Sequence, residues 1–144
     1  MYPFYRLKYR NKLLVSTTKA EINRTKPAHY GQRMPSSLAA IGLIQLQKLD
    51  QINAERRLIA IEWDKWCEEN QYSKPLVLEQ SEPVFLRYPI IVSPNKKQDT
   101  TWTKPLKIEV GDWFRTHLHP ANYEINDCPQ AMIAVTCCIN LPTI

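Results

Sequence analysis

Residues 36–70, SSLAAIGLIQLQKLDQINAERRLIAIEWDKWCEEN, decide the fold. Leu38, Ile41, Gly42, Gln45, Leu46, Leu49, Ile52, Arg56, Ile59, Ala60, Trp63 and Trp66 recur at spacings of three and four. That period belongs to an amphipathic helix. Pro35 stands where a first-turn proline is tolerated, and Ser36 and Ser37 suit a helix start. The spacing predicts one long helix, or two in series, whose stripe packs in a core. Lys48, Asp50, Glu55, Arg57, Asp64 and Lys65 lie opposite the stripe. Ala39, Ala40 and Gly42 form a small-residue patch that lets another backbone approach closely. The stripe is too long for the short elements that follow to cover it. It is expected to pack against a second copy or another chain.

On the N-terminal side, Pro27 and His29-Tyr30-Gly31 read as a loop. Beyond Lys74-Pro75 the period changes to two. Val84 to Ser93 reads as a strand, with Pro89 marking a bulge or an edge. Residues 95–100 form a polar turn. Residues 101–110 stay open, because Trp102 and Leu106 suit a helix and Pro105 interrupts it. A second strand is predicted around Val110 to Leu118. Residues 129–138 have helical spacing through Ala131, Met132 and Val135, weakened by Ile133, Val135 and Thr136. The fold class is α+β: a long helix packed with a small antiparallel sheet and short helices.

A chain of 144 residues makes one domain. Its composition, 44% hydrophobic and 23% charged, is that of a soluble globular protein. No apolar run approaches the ~18 residues of a membrane span. The N-terminus, MYPFYRLKYRNKLLV, has no unbroken apolar core, so no export signal is expected and the cytoplasm is the predicted compartment. Gly31, Gly42 and Gly111 stand too far apart for a glycine-rich phosphate loop. Cys67, Cys128, Cys137 and Cys138 contain no CxxC spacing and read as free thiols. Of the net charge of +5, residues 1–30 hold +6 and the other 114 residues −1. Residues 1–26 are therefore a basic arm carrying Tyr2, Phe4, Tyr5 and Tyr9. Such an arm suits a solvated tail, an anionic membrane surface or an acidic partner. A body with no basic stripe argues against nucleic acid.

The run Tyr30–Asp50, YGQRMPSSLAAIGLIQLQKLD, resembles the segment of the DegT/DnrJ/EryC1/StrS aminotransferases that reads roughly YNYRMSNLQAAIGLAQLERLD. The likeness continues through Arg56, Arg57 and Ala60, resumes at Gly111-Asp112-Trp113-Phe114 and His119-Pro120, and ends at Cys128-Pro129 and Asn140-Leu141-Pro142-Thr143. It covers about residues 24–144 and divides the chain into the arm, 1–26, and an aminotransferase C-terminal-like domain, 27–144. The resemblance implies pyridoxal-phosphate enzymes of the aspartate-aminotransferase fold. These move an amino group onto a nucleotide-linked keto sugar and work as homodimers with active sites between subunits. Only the end of the large domain and the small domain are matched. The half with the Schiff-base lysine lies upstream in the family, so no catalytic residue is assigned.

By that resemblance Gly31 and Arg33 occupy cofactor-binding positions. The family usually has asparagine where Gly31 stands, and glycine keeps only its backbone N–H for the cofactor phosphate. Ser16-Thr17-Thr18-Lys19 echoes the family's Ser-x-x-Lys, but Lys19 lies only 14 residues before Arg33 and no glycine-rich continuation follows. Trp113, His117 and His119 are the expected substrate-binding residues, with Trp113 and Phe114 as a stacking wall. His117 and His119 would share a face on a strand, yet two histidines beside Asp112 or Cys128 are a weak metal signal. The expected function is an incomplete aminotransferase, inactive alone and not binding pyridoxal phosphate by itself, whose expected partners are a second copy or a complementing aminotransferase half, and a nucleotide sugar. The alternative is a non-catalytic dimerisation module whose arm contacts membrane or an acidic partner.

Overall fold

The computed structural model describes residues 18–113, 115–117 and 127–144. The described residues open with α1 (Lys19–Ile22), held by a capping box. The Thr18 N–H donates to Glu21 Oε2 at 2.6 Å, and the Glu21 N–H donates to Thr18 Oγ1 at 3.3 Å. The Tyr30 hydroxyl, from the 3-10 turn Ala28–Gly31, donates to the same carboxylate. Together the Thr18 backbone, the Tyr30 hydroxyl and the Thr18 side chain pull the Glu21 carboxyl down to about 2. A depressed carboxyl stabilises the folded form above its ordinary value of 4.5, and that contribution is lost as pH falls toward 2. An NMR titration should therefore find the Glu21 midpoint near 2, and Tyr30→Phe should move it part of the way back to 4.5. A midpoint at 4.5 in the unaltered protein would mean that the box does not form.

The periodic stretch folds as two helices in series, α2 (Ser36–Leu46) and α3 (Leu49–Glu69). At the joint the Lys48 N–H turns to the Gln45 carbonyl, a three-residue step that interrupts the α ladder. α3 ends in a Schellman motif. Gln71 adopts a left-handed φ of 60°, the Tyr72 N–H reaches the Cys67 carbonyl at 2.8 Å, and the Gln71 N–H reaches that of Glu68 at 3.4 Å. The accompanying apolar contact is the Tyr72 ring stacked on Trp66, centroids 5.2 Å apart.

The sheet has two strands, β1 (Tyr88–Ile91) and β2 (Cys138–Leu141), paired antiparallel with Ile90 opposite Ile139. This corrects the sequence reading twice. The strand expected over 84–93 shortens to four residues, and the second strand is not 110–118. Among the described residues of that stretch, only Gly111 forms a bridge, exchanging both backbone hydrogen bonds with Asn140 at 2.8 Å. β2 thus lies between β1 and Gly111, which leaves β1 on an edge where Pro89 sacrifices no ladder bond. Between the strands run α4 (Pro94–Gln98), a 3-10 stretch over Thr100–Leu106 that contains Pro105, and, after residue 127, α5 (Pro129–Cys137).

The core gathers on the second half of α3. Tyr88, Ile90, Val92, Ile139, Leu141, Ala60 and Cys67 are buried together, with Trp63, Trp66, Phe85 and Trp102 against them. Several polar groups taken inside are hydrogen-bonded. The Trp63 Nε1–H donates to the Pro142 carbonyl at 2.7 Å and the Tyr88 hydroxyl to Asp64 Oδ1 at 2.5 Å. The Thr143 hydroxyl is shared between the carbonyls of Phe85 and Leu86. The stripe predicted to be core behaves differently along its length. α3 is buried at Ala60 and Cys67, whereas α2 contributes no buried residue at all.

Candidate functional site

The two groups of site residues expected from the sequence stand apart in character. Gly31 closes the 3-10 turn in open space, where an added Cβ would meet nothing within 4 Å. Arg33 follows on the exposed link into α2 and forms no ion pair with a described residue. Lys19 is exposed at the start of α1. Trp113 follows the Gly111 bridge and is 55% exposed, its indole under the Arg87 guanidinium at 5.4 Å. Gly111 is small for a reason, since a Cβ there would lie 3.3 Å from Trp113 Nε1. His117 is half-buried, while His119 and Phe114 lie outside the described residues. Neither of two clefts formed among the described residues is lined by Gly31, Arg33, Trp113 or His117.

A polar cluster that sequence reasoning missed lies beside this second group. Lys97, on α4, points its ammonium at the C-terminal turn of α5, donating to the carbonyls of Val135 at 2.7 Å and Ala134 at 3.2 Å. A cation there satisfies carbonyls the helix cannot and meets the negative end of its dipole. Asp112 Oδ1 stands 3.3 Å from Lys97 Nζ, and Arg115 Nε donates to Asp112 Oδ2 at 3.0 Å. Asp112, the alternative metal ligand of the sequence reading, is thus engaged by two cations. The open cleft beside it, about 420 Å³, is lined by Pro94, Lys97, Gln98, Asp112, Val135 and Thr136. The signal was in the sequence only as Asp112 within the run Gly111-Asp112-Trp113. Lys97 sat in what read as a solvated turn.

All four cysteines are free, and burial pushes the Cys67 and Cys138 thiols up, so neither is a thiolate at neutral pH. Burial and the Asp64 carboxylate likewise push the Tyr88 phenol well up, which keeps it a hydrogen-bond donor.

Pyridoxal phosphate requires a lysine in a cleft, an acid for the pyridine nitrogen and a phosphate cradle. Among the described residues Lys19 is exposed, Lys97 lines a cleft but is held by the Ala134 and Val135 carbonyls, Asp64 holds Tyr88, and Asp112 holds Lys97 and Arg115. These residues, taken alone, do not fit the cofactor, and no chemical step through it is assigned to them.

The sequence profile of the DegT/DnrJ/EryC1/StrS aminotransferase family matches residues 8–144. The match starts upstream of the resemblance read from about residue 24 and takes in α1, both long helices and the sheet. No curated protein and no solved structure matches the chain. No helix of the described residues is long and apolar enough to cross a membrane. With the run before α2, the Gly111 bridge and the β2 end all inside one continuous match, the chain belongs to the DegT/DnrJ/EryC1/StrS aminotransferase family, whose enzymes use pyridoxal phosphate.

Proposed function

We propose that this chain is the small-domain portion of a DegT/StrS-type aminotransferase and does not transaminate by itself. The observation that carries this reading is the contrast between a family match over residues 8–144 and described residues that form no site for the cofactor. The reaction it serves is transfer of an amino group to a nucleotide-linked keto sugar, in a site that the family's cofactor-binding half completes. In the completed site the Gly31 N–H and Arg33 face the cofactor phosphate, and Trp113, His117 and His119 line the substrate side. The compartment we propose is the cytoplasm, a reading supported by four free cysteines.

The test is incubation with pyridoxal phosphate and borohydride, followed by intact mass and peptide mapping. Scattered, non-saturating labelling of exposed lysines is the expected result. Saturable labelling of a single lysine would overturn the reading, because the chain would then hold its own cofactor site.

A second reading, a non-catalytic interaction module, is favoured by α2, whose Leu38, Ile41 and Leu43 are 55%, 56% and 63% exposed. In that version the helix joins two copies and the basic arm meets an acidic partner or membrane. Concentration-independent sedimentation as a monomer would exclude the homodimer.

A further inference from the structure

Arg87 and Trp113 carry hydrogen-bond donors that the fold leaves unused. The Trp113 indole is 55% exposed, and its Nε1–H meets no acceptor among the described residues. The Arg87 guanidinium lies over that ring, 5.4 Å from its centroid, and is half-buried. Its one hydrogen bond, to the Glu109 carbonyl, is long at 3.4 Å, and no carboxylate of a described residue pairs with it. Withdrawing a guanidinium from water without an acid is unfavourable, and stacking on an indole offsets only part of that cost. The stack also fixes the planar fork in one orientation beside the ring.

Nothing described nearby neutralises this charge. Asp112, next in the chain to Trp113, is already engaged by Lys97 and Arg115. Gly111 adds room. A Cβ there would stand 3.3 Å from Trp113 Nε1, and glycine leaves that side of the indole nitrogen open. A fixed cation beside a second free donor selects an anion. A planar carboxylate is satisfied by the fork alone, whereas the oxygens of a phosphoryl group diverge and can take the fork and the indole N–H together.

We propose that Arg87 and the Trp113 indole N–H bind a phosphoryl group of the substrate, which makes Arg87 the residue that selects a phosphorylated sugar derivative over a neutral sugar. This rests on the proposed function, which sets Trp113 on the substrate side. It adds Arg87, which neither the sequence pattern nor the family resemblance singled out. The free edge of the guanidinium donates to phosphoryl oxygens, and Nε1–H donates to another at the rim of the ring.

The experiment titrates the full chain with uridine diphosphate, inorganic pyrophosphate and uridine. It follows the Trp113 indole N–H by NMR, assigned through its loss in Trp113→Phe. Both anions should move that resonance saturably, and uridine should not. Arg87→Gln should weaken uridine diphosphate binding at least fivefold. Arg87→Lys keeps the charge but loses the fork and should weaken it at least threefold; it decides the matter if Arg87→Gln does not fold. Lys65→Gln, which removes one exposed positive charge on α3, should stay within twofold of the unaltered protein. An indole unmoved by either anion, or moved by uridine as readily as by its diphosphate, would overturn the proposal. So would unchanged affinity in the Arg87 variants, or an equal loss in Lys65→Gln, which would make the attraction a general one. Those failures leave the lysine-labelling result untouched, whereas saturable labelling of one lysine would fell the proposed function without altering the indole titration.

Discussion

Ile139→Ala is expected to lower the free energy of unfolding by about 3–4 kcal/mol. Ile139 is completely buried at the centre of β2, paired with Ile90, which is 1% exposed. Alanine there removes three carbons from a small core, and backbone in register on one side with Ile90 and close to Gly111 on the other has little room to collapse. The loss combines the transfer term with a cavity term, and the cavity dominates where the walls cannot move. Against a total stability of about 5–15 kcal/mol for a domain of this kind, the change is large. Urea denaturation should show a lower midpoint with an unchanged slope. Leu38→Ala, at a position 55% exposed, should by comparison cost less than about 1 kcal/mol. Equal costs at the two sites would mean that the core does not lie where the structure puts it.

The second large effect is Lys97→Met, expected to cost about 3 kcal/mol. Methionine keeps most of the stem and removes the ammonium. The side chain of Lys97 is only 8% exposed, so water cannot replace the lost donor fully. The carbonyls of Ala134 and Val135 lose their cation at the end of α5, and Asp112 is left with Arg115, whose side chain is 74% exposed and screened. Part of the cost is the stranded carboxylate and not the lost attraction. Adding Asp112→Asn to Lys97→Met should therefore cost less than the two single changes added together. A double-mutant cycle by urea denaturation measures this, and additivity within about 0.5 kcal/mol would show that the two residues act independently.

The long helix was legible because its contacts are local. Period-three-and-four spacing from Leu38 to Trp66 needs no knowledge of what lies opposite. Two helices in series were one of the two readings, but the position of the break at Gln47–Lys48 was not legible, because neither residue is a helix breaker and the apolar spacing runs through it. β2 escaped for a different reason. All four of its residues are buried, so Cys138-Ile139-Asn140-Leu141 shows no alternation and follows a helix without a turn residue between them. Around Val110 to Leu118 the β-branched signal exists, but β2 already occupies the sheet position beside β1, and of the described residues there only Gly111 joins. Of the site, Gly31, Arg33, Trp113 and His117 came through resemblance to a family signature. Lys97 came from nowhere in the sequence, since its acceptors lie 37 and 38 positions away and only the fold brings them together.

The pairing of β1 with β2 also governs how fast this domain can assemble. α3 can form on the microsecond scale from neighbours along the chain. The core has to wait, because the Trp63 indole and the Pro142 carbonyl are 79 positions apart, and Thr143 bonds back to Phe85 across 58. Closing loops of that length is an entropic search whose reward arrives only at the end, which is the condition for a slow, high-contact-order step. Refolding should thus be limited by the search of β2 for β1, a step during which the apolar surface of the early helices would stand open to aggregation.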